Sequence, residues 1–117
     1  MAKSEELKEI VRGMPGFDAM KLRAQVAHCK RAIAIELGEN ASPEAFEEAE
    51  RNAQPVEEIG VGKLEAEILP IESGGTQLRL VFSAIHDDGK EYHTVVAKRL
   101  DNWPAGLDYL REKGVEI

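Results

Sequence analysis

The sequence predicts an α+β fold: N-terminal helices, a three-stranded antiparallel meander and a C-terminal helix. Three observations carry this. Two β-rich runs, Leu78–His86 and Tyr92–Leu100, flank Asp87-Asp88-Gly89, a strong hairpin signal because glycine takes positive φ without a Cβ clash. Before them, Val61–Leu69 alternates, with Leu64, Ala66 and Ile68 on one side and Lys63, Glu65 and Glu67 on the other. On either side of the meander the apolar spacing is helical, and Pro and Gly mark the boundaries.

The first helix is expected over Glu5–Arg12, capped by Ser4, with Leu7, Ile10 and Val11 as its apolar stripe. Gly13-Met14-Pro15-Gly16 breaks it. Asp18 is placed to cap the longest helix, Ala19–Leu37. There Leu22, Val26, Cys29, Ile33 and Leu37 form the expected core-facing stripe, widened by smaller residues, and Gly38 ends it. Ser42-Pro43-Glu44 is a well-specified helix start, and that helix runs to about Asn52, with Phe46 as its one large anchor. Pro70 implies a strand end, and Ser73-Gly74-Gly75 turns the chain into the hairpin. The last helix is anchored by Trp103, Leu107 and Leu110 and ends at Gly114.

The hairpin register has two solutions. A two-residue Asp88-Gly89 turn pairs Phe82 with Val95. A three-residue loop with a bulge at Gly89 pairs Phe82 with Thr94. The slip of one residue moves every side chain of the second strand to the other face. In both registers Leu78, Leu80 and Phe82 share one face, and Val81 and Ile85 the other. Large apolar residues on both faces imply that both are covered, one by the long helix, the other by further helices or a second subunit.

A chain of 117 residues, 43% hydrophobic and 32% charged, is expected to form a single globular domain over 1–117. Its net charge of −7 is uneven, since residues 39–72 hold ten acids against Arg51 and Lys63. Such an acidic middle disfavours direct nucleic-acid binding. No apolar run is long enough to span a bilayer, and the charged first residues do not read as a signal peptide. Cys29 is the only cysteine, so the expected setting is a reducing cytoplasm.

No catalytic motif stands out. His86 and His93 flank the turn and would share a face only in the two-residue register, without a third metal ligand. Cys29 is expected to be a small buried residue, beside His28 but pointing elsewhere. Glu44, Glu47, Glu48 and Glu50 read as a solvated helix face, and Lys21, Arg23, Lys30 and Arg31 form the local basic cluster. No catalytic residue, metal or cofactor is expected. The expected function is that of a small, cytoplasmic, non-enzymatic, homo-oligomeric interaction protein. A second reading is a binder of an anionic, nucleotide-like molecule at a subunit interface, using Arg79, Lys98, Arg99, Trp103 and Tyr92. An enzyme with His86 or His93 as general base is a third.

Overall fold

The computed structural model describes residues 4–54 and 63–117. The elements run α1 (Ser4–Arg12), α2 (Phe17–Leu37), α3 (Pro43–Asn52), β1 (Glu65–Pro70), β2 (Thr76–Ile85), β3 (Glu91–Arg99), a single 3-10 turn (Leu100–Asn102) and α4 (Pro104–Glu112). The fold is α+β, with helices before the sheet and one after it. The three strands form an antiparallel meander in the order β1-β2-β3, leaving β1 and β3 at its edges. The first strand expected at Val61–Leu69 begins at Glu65 and includes Pro70, and residues 61–62 lie outside the described residues.

The bulged register is the one that forms. Phe82 pairs with Thr94, and Ile85 with Glu91. His86 N–H donates to the Lys90 carbonyl at 3.1 Å, and Gly89 N–H donates back to the His86 carbonyl at 2.9 Å. Gly89 sits at φ 78°, which a residue with a Cβ rarely adopts. Asp88 braces the loop by accepting from Lys90 N–H at 3.0 Å.

Register then decides the two faces. Leu64, Ala66, Leu78, Leu80, Phe82 and Val96 are all buried on one side of the sheet. Leu7 and Val11 of α1, Met14, Phe17, Met20 and Ala24 leading into and along α2, and Leu110 of α4 close over them. Phe17 meets Phe82 with ring centroids 6.0 Å apart. Trp103 is half-buried at the margin of this core, its ring held between Gly16 and Gly106. A Cβ at Gly106 would lie 2.5 Å from that ring, so this approach requires glycine.

The long helix corrects two expectations. It starts at Phe17, with Gly16 at φ 83° as its N-cap and no side-chain cap, so Asp18 is not the cap. Its inward face is Phe17, Met20, Ala24 and His28. The expected stripe of Leu22, Val26, Cys29, Ile33 and Leu37 lies on the opposite side of the helix, about 180° away at 100° per residue. There Ile33 is buried, while Leu22 and Val26 remain 51% and 40% exposed and Cys29 is half-buried. The helix is apolar on two faces, with Leu22, Val26, Ile33 and Leu37 on the outer one. α3 starts as read, with Ser42 Oγ accepting from Ala45 N–H at 3.2 Å, but it has no fully buried residue and Phe46 is only half-buried. Ser4 opens α1, and its side chain lies outside the described residues.

Candidate functional site

The hairpin carries a buried histidine cluster at the end of its covered face and the exposed Ile85 and Val95 on its other face. On the covered face, residue 28 of α2 arrives opposite the hairpin end. His28 is fully buried, and its Nδ1 lies 3.1 Å from Nε2 of His86, with the two rings stacked at 5.4 Å. His28 Nε2 lies 3.2 Å from Thr94 Oγ1. Arg31, one turn further along α2, donates from Nη1 both to Thr94 Oγ1 and to the His93 carbonyl, each at 2.9 Å. Tyr92 packs its ring edge-on against His86 and donates its hydroxyl to Asp88 at 2.8 Å.

This cluster is self-contained. Burial pulls the His28 pKa below its ordinary value, opposed by a hydrogen bond to the Phe82 backbone and reinforced by the Arg31 charge. Hydrogen bonds from Lys90 N–H and Tyr92 hold Asp88 low, and the same bond to Asp88 raises Tyr92. No buried side-chain nitrogen or oxygen among the described residues lacks a partner. A shallow cleft of about 170 Å³, lined by Ala32, Ile35, Glu36, His86 and Asp87, opens beside the pair. Among the described residues no group of three His, Cys, Asp or Glu side chains is placed to hold a metal ion. The arrangement locks α2 to the hairpin end.

His86 and His93 do not share a face, as the bulged register requires. His93 projects from the other side, where its Nδ1 lies 2.8 Å from Oγ of Ser83, its cross-strand partner. A hydroxyl against an imidazole is the start of a nucleophile–base pair. Here, however, Ser83 is 5% exposed, and among the described residues no side chain is hydrogen-bonded to the second imidazole nitrogen. The contact bridges two strands.

Around this pair lies the bare face of the sheet. It carries Val81, half-buried, with Val95 48% and Ile85 69% exposed. Arg79 and Arg99 lie on this face too. Arg79 faces Glu67 at 3.6 Å, while Arg99 is held by Asp101 at 3.1 Å and by the Gly74 carbonyl at 2.8 Å. Lys98 is on the covered face, its Nζ 4.2 Å above the Trp103 ring. Tyr92 is at the opposite end of β3, roughly 20 Å away along the strand at 3.3 Å per residue. The five residues expected to line an anionic-ligand site thus occupy three places: the bare face, the Trp103 corner and the histidine cluster.

The sequence reading missed the His28–His86 and Ser83–His93 contacts. The second was within reach, because the bulged register puts residue 83 opposite residue 93. The first joins elements 58 residues apart and has no local signal. No known protein family, curated protein or solved structure matches this chain. No helix among the described residues is long and apolar enough to cross a membrane.

Proposed function

We propose that this chain is a small, non-catalytic interaction protein that works as a homo-oligomer, with the β2–β3 hairpin as the surface where subunits meet. One observation carries the reading: on the hairpin's outer side Ile85 and Val95 are exposed and Val81 is half-buried, and no described helix covers them. An isolated exposed Ile or Val means little, but Val81 and Val95 face each other directly on two paired strands, with Ile85 beyond the Ser83–His93 pair, and a set of this kind marks an interface. Arg79, Arg99, Ser83 and His93 on this face already have intrachain partners, which fits the same reading. A cytoplasmic setting fits the lone half-buried thiol.

The second reading, an anionic small molecule at a subunit interface, draws on Arg79 and Arg99. They are diagonal neighbours on the bare face, because Gln77 pairs with Arg99 and Arg79 with Ala97. Light scattering coupled to size exclusion tests the first reading. It predicts at least twice the 12.9 kDa chain mass at micromolar concentration, and a clean monomer at high concentration contradicts it. A ligand screen by thermal shift, with Arg79→Ala as control, tests the second.

A further inference from the structure

A second copy of this chain can meet the hairpin in two ways, face against face or edge against edge, and the order of charges along β3 decides between them. β3 is an edge strand with nine residues, Glu91–Arg99, and none of them is proline. The hairpin's closing bond, His86 N–H to the Lys90 carbonyl, fixes which backbone groups point where. Antiparallel pairing alternates, so the even-numbered residues of β3 turn their N–H and C=O toward β2. The odd-numbered ones, Glu91, His93, Val95, Ala97 and Arg99, turn theirs to the free edge. The Arg31 contact agrees, since its guanidinium reaches the His93 carbonyl from outside the sheet. Among the described residues no other strand pairs with this edge. Arg31 uses one lone pair of one carbonyl, and a carbonyl has two.

We infer that β3 pairs antiparallel with β3 of a second copy about a two-fold axis at Val95, joining two three-stranded sheets into one of six strands. This rests on the proposed self-association and specifies its geometry. The terminal charges of β3 are opposite in sign about Val95: Glu91 stands four residues before it and Arg99 four after, while Lys98 mirrors the uncharged Tyr92. In the Val95-centred register the whole strand is paired, end to end. Glu91 then lies opposite Arg99 of the partner subunit, and by symmetry the opposite-charge pair forms twice. His93 lies opposite Ala97 of the partner subunit, and Val95 opposite its own copy. The neighbouring registers are worse. A slip one way sets Lys90 against Lys98 of the partner subunit, and the other way carries Glu91 past the end of the facing strand, which stops at residue 99, and leaves it unpaired. Outward-pointing residues must pair with outward-pointing residues, so no smaller slip exists.

The present partners of the two end charges leave room for this. Lys63 lies 3.8 Å from Glu91 with both side chains substantially exposed, which is a weak and exchangeable contact. Arg99 engages Asp101 through Nε and Gly74 through Nη2, leaving further N–H donors of its guanidinium. Exposed edge strands are normally blunted by charge, proline or bulges. Here the charges sit only at the two ends, with signs that attract a centred copy. The bare faces of the two subunits become continuous across the axis, with the Val95 pair at the middle.

Two measurements on the full chain test it. In a Cys29→Ser background, Val95→Cys should form a disulfide-linked dimer in oxidised glutathione. Directly opposed residues of a hydrogen-bonded antiparallel pair have Cα atoms about 5.5 Å apart, within disulfide reach. Val81→Cys and Ile85→Cys, on β2, should not cross-link. Separately, Glu91→Arg or Arg99→Glu alone should weaken the dimer by about tenfold, since each turns two attractive pairs repulsive, and the double swap should restore it to within about twofold. A dimer by light scattering that cross-links through Val81→Cys or Ile85→Cys, or ignores the charge swaps, overturns the edge geometry and leaves self-association standing. A chain that stays monomeric overturns both.

Discussion

The two faces of one short sheet differ more than any other two regions of this molecule. Leu78, Leu80 and Phe82 on β2 are essentially without solvent contact, while Val81 between them is half-buried and Ile85 at the strand's end is 69% exposed. The residue types hardly differ; only their parity does. On β3 the alternation is sharper still, with Val96 buried and Val95 open. Hydrophobic side chains thus mark both faces as surfaces to be dried, and the chain's own helices dry only one. What separates the faces is the three-residue loop at Asp87-Asp88-Gly89, which fixes the parity of β3 relative to β2. A two-residue turn would have put Val95 with Phe82 and exposed Val96 instead.

Truncating side chains on the two faces should have very different costs. Phe82→Ala removes a buried ring that contacts Phe17 and should cost about 3–5 kcal/mol in a denaturant titration. Ile85→Ala, on the bare face, should change chain stability by no more than about 0.5 kcal/mol at concentrations where only monomer is present. A large Ile85 effect under those conditions would mean that the second face belongs to the intrachain core. Gly106→Ala comes next. Its methyl group would meet the Trp103 ring, so the ring must leave the core margin, and we expect a loss of about 1–3 kcal/mol with a red shift of the single tryptophan's emission.

A smaller effect sharpens the polar corner of the covered face. His28 is held below the ordinary imidazole value of 6.5 because burial disfavours its charged form. The unfolded chain therefore takes up this proton at higher pH than the folded one. The contribution is fully present above about pH 6.5 and is lost as the pH falls from there through the folded value. Melting temperatures recorded from pH 7.5 down to 5 should fall below about 6.5, and His28→Phe should flatten that slope. An unchanged slope in the variant would place the titrating group elsewhere.

Much of this architecture was legible in the chain. The hairpin, the Ser42-Pro43 helix start and the α4 stop at Gly114 each rest on local chemistry, in a turn glycine, a capping hydroxyl or a residue with positive φ. The inward face of α2 was not legible, and the reason is physical. The regular four-and-three spacing of branched aliphatic residues sets the expectation, and on this helix Leu22, Val26, Ile33 and Leu37 form the outer stripe. The sheet-facing stripe uses Ala24, which permits a close approach, and His28, a polar residue that is buried because Thr94 and His86 satisfy both ring nitrogens. Those partners lie 66 and 58 residues away, so no window of sequence contains them. For the same reason the residues expected to share one ligand site, Arg79, Lys98, Arg99, Trp103 and Tyr92, fell on different faces and ends once the register was set. The proposed self-association surface depended on the register in the same way, since the face that carries Val95 is set by the loop length.

In the proposed assembly one face of the sheet is closed within the chain and the free edge of β3 meets a second copy. Isotope-filtered NMR on an equimolar mixture of methyl-labelled and unlabelled chains reads this directly, because it detects only contacts between subunits. The account predicts intersubunit contacts from the Val95 methyls and none from the buried methyls of Leu78 and Leu80. Intersubunit contacts arising instead from Leu22 and Val26 on the outer side of α2, or no intersubunit contacts at millimolar concentration, would contradict it.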